Sequence, residues 1–127
     1  MNTCHRWILS CALALAAGCA GIGQQSSQPR ITEVSRKTYL KFYPTADQRE
    51  EFYTVWTGLN ITLVKFEYRQ VNVPNELYAK SYVPTARRST VFTVAGDEFQ
   101  KGGRVSAWRA TLWHHQKLLA EQKSALW

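Results

Sequence analysis

Val64-Lys65-Phe66-Glu67-Tyr68-Arg69 places an apolar or aromatic side chain at every second position and a charged one between. A helix would scatter these residues around its axis. A strand sends 64, 66 and 68 to one face and 65, 67 and 69 to the other, so the stretch is predicted to be a half-buried antiparallel strand. The pattern runs over residues 61–73 and ends at the polar turn around Pro74. Glu67, flanked by Lys65 and Arg69, is expected to join a cross-strand charge ladder.

The same period recurs on both sides. Upstream, Phe52-Tyr53-Thr54-Val55-Trp56-Thr57 is β-rich and is followed by a Gly58-Leu59-Asn60 turn. Residues 38–43 are predicted to form a strand with Leu40 and Phe42 on one side, stopped by Pro44, and residues 46–51 a loop or one helical turn. Downstream, residues 78–83 suit a short edge strand closed by Pro84, residues 89–95 a further strand, and Gly96-Asp97 and Lys101-Gly102-Gly103 two turns. Residues 104–113 and 117–127 are expected to pair as a hairpin across His114-His115-Gln116, with Trp108, Ala110 and Leu112 on one face. Residues 118–123 also have helical propensity, but the β-rich neighbours and the short connection favour a strand. About seven strands separated by regular turn signals predict an all-β fold, an antiparallel β-sandwich. It occupies residues 36–127 as one domain.

Val55-Trp56-Thr57-Gly58 followed by Val64-Lys65-Phe66-Glu67-Tyr68-Arg69 resembles strands B and C of a fibronectin type III domain, where a core Trp precedes an alternating strand ending in Tyr-Arg. The resemblance covers residues 55–69 and implies an Ig-like arrangement of the two sheets.

The N-terminus has a different texture. His5 and Arg6 form a basic start, and residues 7–17 are an apolar run too short for a bilayer span of roughly 20 residues. This is the layout of a signal peptide removed on export. Leu15-Ala16-Ala17-Gly18-Cys19 resembles a bacterial lipobox, although Ala16 stands where lipoproteins prefer Leu. The resemblance implies cleavage after residue 18, acylation of Cys19, and a lipid-anchored protein facing the periplasm. Ala20 after the cysteine, in place of Asp, resembles the pattern that sorts lipoproteins to the outer membrane. Residues 19–35 are then the lipidated Cys and a tether. Its segment from Ala20 to Pro29 has only flexible or breaking residues, with a reach of roughly 17 to 23 Å as coil.

Cys4 and Cys11 would leave with the signal, so Cys19 is the one cysteine kept and no disulfide can form within the processed chain. The domain must fold on its apolar core. With 16 basic and 9 acidic residues the chain carries +7, a balance suited to anionic partners. The basic residues are spread out, Arg36-Lys37 and Arg87-Arg88 being the adjacent pairs, and an envelope address argues against nucleic acid.

Residues able to do chemistry are few. Neighbouring histidines in a strand face opposite ways, so His114 and His115 suit a polar turn better than a metal site. Glu67, Asp97, Glu98 and Glu121 have no spacing that would make a catalytic carboxylate pair. There is no Gly-x-Ser-x-Gly elbow, and Gly102-Gly103 reads as a turn and not a phosphate cradle. The sequence therefore predicts no enzyme, no catalytic residue, no metal and no cofactor. Arg87 and Arg88 with Tyr78, Tyr82, Trp113 and Trp127 form the candidate interaction surface, since Tyr, Trp and Arg dominate binding hot spots. The expected function is that of an outer-membrane-anchored accessory or assembly subunit that binds another envelope protein. The alternative is a lipoprotein that recognises a glycan or inhibits an exogenous enzyme.

Overall fold

A computed structural model describes residues 28–127. The signal, Cys19 and most of the tether fall outside the described residues. Seven strands form: β1 Arg30–Tyr39, β2 Arg49–Thr57, β3 Leu63–Gln70, β4 Val73–Tyr82, β5 Ser89–Ala95, β6 Val105–His114 and β7 Lys117–Lys123. Among the described residues one short helix, α1, covers Gly96–Gly102. The strands make two antiparallel sheets, ordered β1-β2-β5 and β4-β3-β6-β7. The chain crosses between sheets after β2, after β4 and after β5, and the two antiparallel sheets make an all-β sandwich.

The alternation that opened the sequence reading sets the core. β3 buries Val64, Phe66, Tyr68 and Gln70, and β2 buries Glu50, Phe52, Thr54 and Trp56. Phe66 is the hub: its ring lies 4.7 Å from Phe52, 5.2 Å from Phe92 in a near-parallel stack, and 6.1 Å from Trp108. Ala110 and Leu112 of β6 lie opposite Phe66 and Val64, as the hairpin reading required. The segment at 117–123 is a strand. It pairs with β6 around a two-residue tip in which His115 takes a left-handed conformation.

Several boundaries differ from expectation. β1 begins at Arg30, so residues 30–35, assigned to the tether, belong to the domain; Ile31 and Val34 pack on the core, an apolar contribution hidden by the polar residues around them. β1 ends at Tyr39, and Phe42 is 88% exposed instead of facing inward. Residues 49–51, read as loop or helical turn, start β2, and a single 3-10 turn at Thr45–Asp47 precedes them. The long strand at 61–73 shortens to β3. Pro74 does not end a strand but lies inside β4, which is tolerable because β4 is an edge strand whose ladder to β3 is irregular there.

The two turns foreseen around 96–103 are joined by α1. Asp97 and Glu98 in its first turn and Lys101 in its last suit the helix dipole, and buried Phe99 anchors it. Seven residues are too few to show helical periodicity in the sequence.

Candidate interaction surface

The sandwich has two unlike ends. At one, the β2–β3, β4–β5 and β6–β7 connections meet the start of β1. Gly58, at φ +123°, lets Pro29 lie directly against the backbone, where a Cβ would come within 2.6 Å of the Pro29 Cα. Asn60 holds a left-handed turn, and its carbonyl accepts a 2.6 Å hydrogen bond from His114 Nδ1–H. The Thr62 hydroxyl accepts the His115 N–H at 2.6 Å. These bonds, one from the His114 ring and one from the His115 backbone, fasten the hairpin tip to the β2–β3 loop.

Leu59 and Asn60 form a ridge between two shallow depressions. One is lined by Pro29, His114, Lys117 and Leu119, the other by Trp56, Pro84, Arg87 and Arg88. Arg87 and Arg88 are exposed, as are Leu59 and Val83.

At the other end lie the β1–β2 loop, α1 and the β3–β4 turn. The Gln100 side-chain amide donates to the Thr45 carbonyl at 2.7 Å, tying α1 to the loop. Lys41, Phe42 and Tyr43 project from that loop, and the Tyr43 ring meets Tyr39 edge-on at 5.2 Å. Tyr39 in turn lies under the Arg49 guanidinium, 3.9 Å from its ring centre.

The six residues named from sequence are not brought to one surface. Arg87 and Arg88 stand at the first end. Tyr78 and Tyr82 face inward from β4, Tyr78 stacked on Tyr68 at 5.7 Å and Tyr82 against Trp56 at 5.9 Å. Trp113 lies half-buried on the outer face of the larger sheet, its indole N–H donating to the Thr111 hydroxyl at 2.8 Å. Trp127 sits towards the far end, 5.9 Å from the Arg69 guanidinium. Sequence spacing did not mark the two β4 tyrosines as inward-facing because the polar residues of this edge strand mask the alternation.

Ionisable groups make two clusters, one around buried Glu50 and one around half-buried Glu98. Glu50 is fully buried and accepts from Arg36 Nε at 2.6 Å and Nη2 at 2.9 Å, from the Thr38 hydroxyl at 2.8 Å and from the Val105 N–H at 2.6 Å. Arg36 Nη2 also donates to the Val105 carbonyl. β1 and β2 are thus bolted to β6 across the sandwich. Burial alone would raise the Glu50 carboxyl, but the Arg36 guanidinium, the Val105 N–H and the Thr38 hydroxyl outweigh it and hold it below the usual carboxylate range.

Glu98 of α1 accepts from the Tyr68 phenol, and its other oxygen is 3.2 Å from Lys80 Nζ. Burial pushes its carboxyl up. The Gln70 amide holds the same helix by donating to the Glu98 and Gly103 carbonyls at 3.2 and 2.8 Å. Sequence reasoning missed Glu50 because residues 46–51 read as a polar loop; its parity with Phe52, Thr54 and Trp56 was the available signal.

The other carboxylates named from sequence lie apart from these clusters. Glu67 and Glu121 flank Arg109 at 3.9 and 3.0 Å on the outer face of the larger sheet, the charge ladder foreseen for Glu67. Asp97 is exposed at the start of α1. Among the described residues no group of three or more His, Cys, Asp or Glu is arranged to hold a metal ion. No helix among them is long and apolar enough to cross a membrane.

The chain matches no protein-family model, no characterised protein and no solved structure. Its fold and its two ends therefore carry the functional reading.

Proposed function

We propose that the protein is a lipid-anchored, non-enzymatic accessory subunit of the bacterial envelope. Cys19 is held in the outer membrane, and the periplasmic sandwich binds another envelope protein. The lipobox-like Leu15–Cys19 stretch supports the anchor. The observation that carries the binding role is the Lys41-Phe42-Tyr43 tip. Phe42 is 88% exposed at the end of the sandwich opposite the start of β1. A projecting aromatic with Tyr and Lys beside it suits the anchor residue of an interface, where burying one ring against a partner contributes much of the affinity. The Glu50 and Glu98 clusters serve as struts between elements.

The test is photo-crosslinking from position 42 in intact cells, followed by isolation from membranes. One defined protein adduct, lost when Phe42 is replaced by Ser in a chain carrying the crosslinker at 43, is the expected result. Adducts only to lipid and abundant porins would overturn the assignment. Incorporation of labelled palmitate, abolished by Cys19→Ser, tests the anchor separately.

A further inference from the structure

The end of the sandwich where β1 begins has a distinctive charge pattern. Residues 28–32, 57–63, 82–90 and 114–119, which build it, contain no Asp or Glu, although the chain has 9 acidic residues. They contain Arg30, Arg87, Arg88 and Lys117, all exposed and none paired with a carboxylate among the described residues, together with His114 and His115. Aliphatic side chains project among these cations, Leu59 at 57% and Val83 at 68% exposure, with Leu118 exposed beside Lys117. The Leu59-Asn60 ridge joins both basic depressions into one surface. Its local rigidity comes from the His114–Asn60 and His115–Thr62 bonds and from Pro29 seated on Gly58.

We infer that this end is a lipid-docking face, seated on the anionic phospholipid headgroups of the membrane that holds the anchor. The inference rests on the proposed acylation of Cys19. From Cys19 to Pro29 the chain can span at most about 35 Å even when fully extended, and Pro29 lies within the face itself. The anchor therefore delivers this end to the membrane before any other. An acid-free cationic surface is attracted to anionic headgroups within a Debye length, about 10 Å at 0.1 M salt. Leu59 and Val83 are placed to enter the interfacial zone once the charges engage. The docked orientation turns the Phe42 tip away from the bilayer, which is the direction a protein partner requires. Arg87 and Arg88, chosen from sequence as protein-binding residues, are thereby assigned to lipid.

The experiment uses the full chain purified from membranes in detergent and reconstituted into vesicles, with a single reporter cysteine at Ala86→Cys or Lys101→Cys. Reaction with a bulky, membrane-impermeant maleimide is followed. In phosphatidylglycerol-rich vesicles at about 0.1 M salt, Ala86→Cys is expected to react about fivefold or more slowly than in detergent, and Lys101→Cys at an unchanged rate. Salt near 1 M, where screening shortens to about 3 Å, or Arg87→Glu with Arg88→Glu, should restore the Ala86→Cys rate. Equal rates at both positions in anionic vesicles would overturn the inference, and so would equal protection in neutral phosphatidylcholine vesicles. Protection in cells without protection in vesicles would also overturn it and would place a protein on this face. The parent chain separates the two readings: maleimide labelling of Cys19 without any reporter shows a free thiol and refutes the anchor, whereas an unlabelled parent with an unprotected Ala86→Cys refutes only the docking.

Discussion

Replacing Glu50 by Gln tests the polar bolt of the sandwich with almost no change of shape. The amide keeps one acceptor oxygen but turns an NH2 group towards the Arg36 guanidinium, so one arm of the 2.6 and 2.9 Å pair is lost and a donor faces a donor. Breaking a fully buried ion pair costs about 3–5 kcal/mol. Arg36 remains one-third exposed and recovers some hydration, which lowers the expected loss to about 2–3 kcal/mol. With a urea slope of about 1–1.5 kcal/mol per molar for a domain of this size, the unfolding midpoint falls by about 2 M. The Glu50 carboxyl lies below its unfolded value of 4.5. Its contribution is complete above that value and disappears as pH falls through the lower folded value, so the wild-type and Glu50→Gln curves converge in acid. Arg36→Met alone leaves the buried Glu50 charge facing the half-exposed Arg104 guanidinium at 3.7 Å in place of its closest cation, and the double variant should regain about 2 kcal/mol over the sum of the single losses. A midpoint change below about 0.5 M at neutral pH, or strictly additive losses, would refute the bolt.

Four further outcomes are expected. Phe66→Ala, which empties the hub among Phe52, Phe92 and Trp108, should cost about 3–5 kcal/mol by chemical denaturation. Glu98→Gln should leave neutral-pH stability within about 1 kcal/mol of wild type, since burial opposes its charge; because its folded value is raised, wild-type stability falls relative to the variant as pH climbs from the unfolded value through the folded one, and a pH series of urea melts reads that slope. Gly102→Ala would set a Cβ into the Gln70 amide, break its bonds to the Glu98 and Gly103 carbonyls, and expose α1 amides to hydrogen exchange before the rest of the domain. Phe42→Ser should change stability by less than about 0.5 kcal/mol, because the side chain is already in water, while removing the partner adduct.

How much of this was legible in the chain depends on the range of the interaction. The 64–69 alternation determined β3 and its inward face, because strand parity is local and survives folding unchanged. The β6–β7 hairpin and the sandwich class were equally readable. Residues 30–35 and α1 were not, since a polar edge strand and a seven-residue helix have too little periodicity to register. Only the tertiary structure decided which charges meet. Glu50 finds Arg36 on β1 and Val105 on β6, residues far apart in sequence, through strand register across two sheets. The acid-free end was likewise invisible in a chain whose basic residues look evenly spread. It exists because four separate segments converge where β1 begins, and convergence of chain ends and loops is a property of topology, which no local pattern encodes.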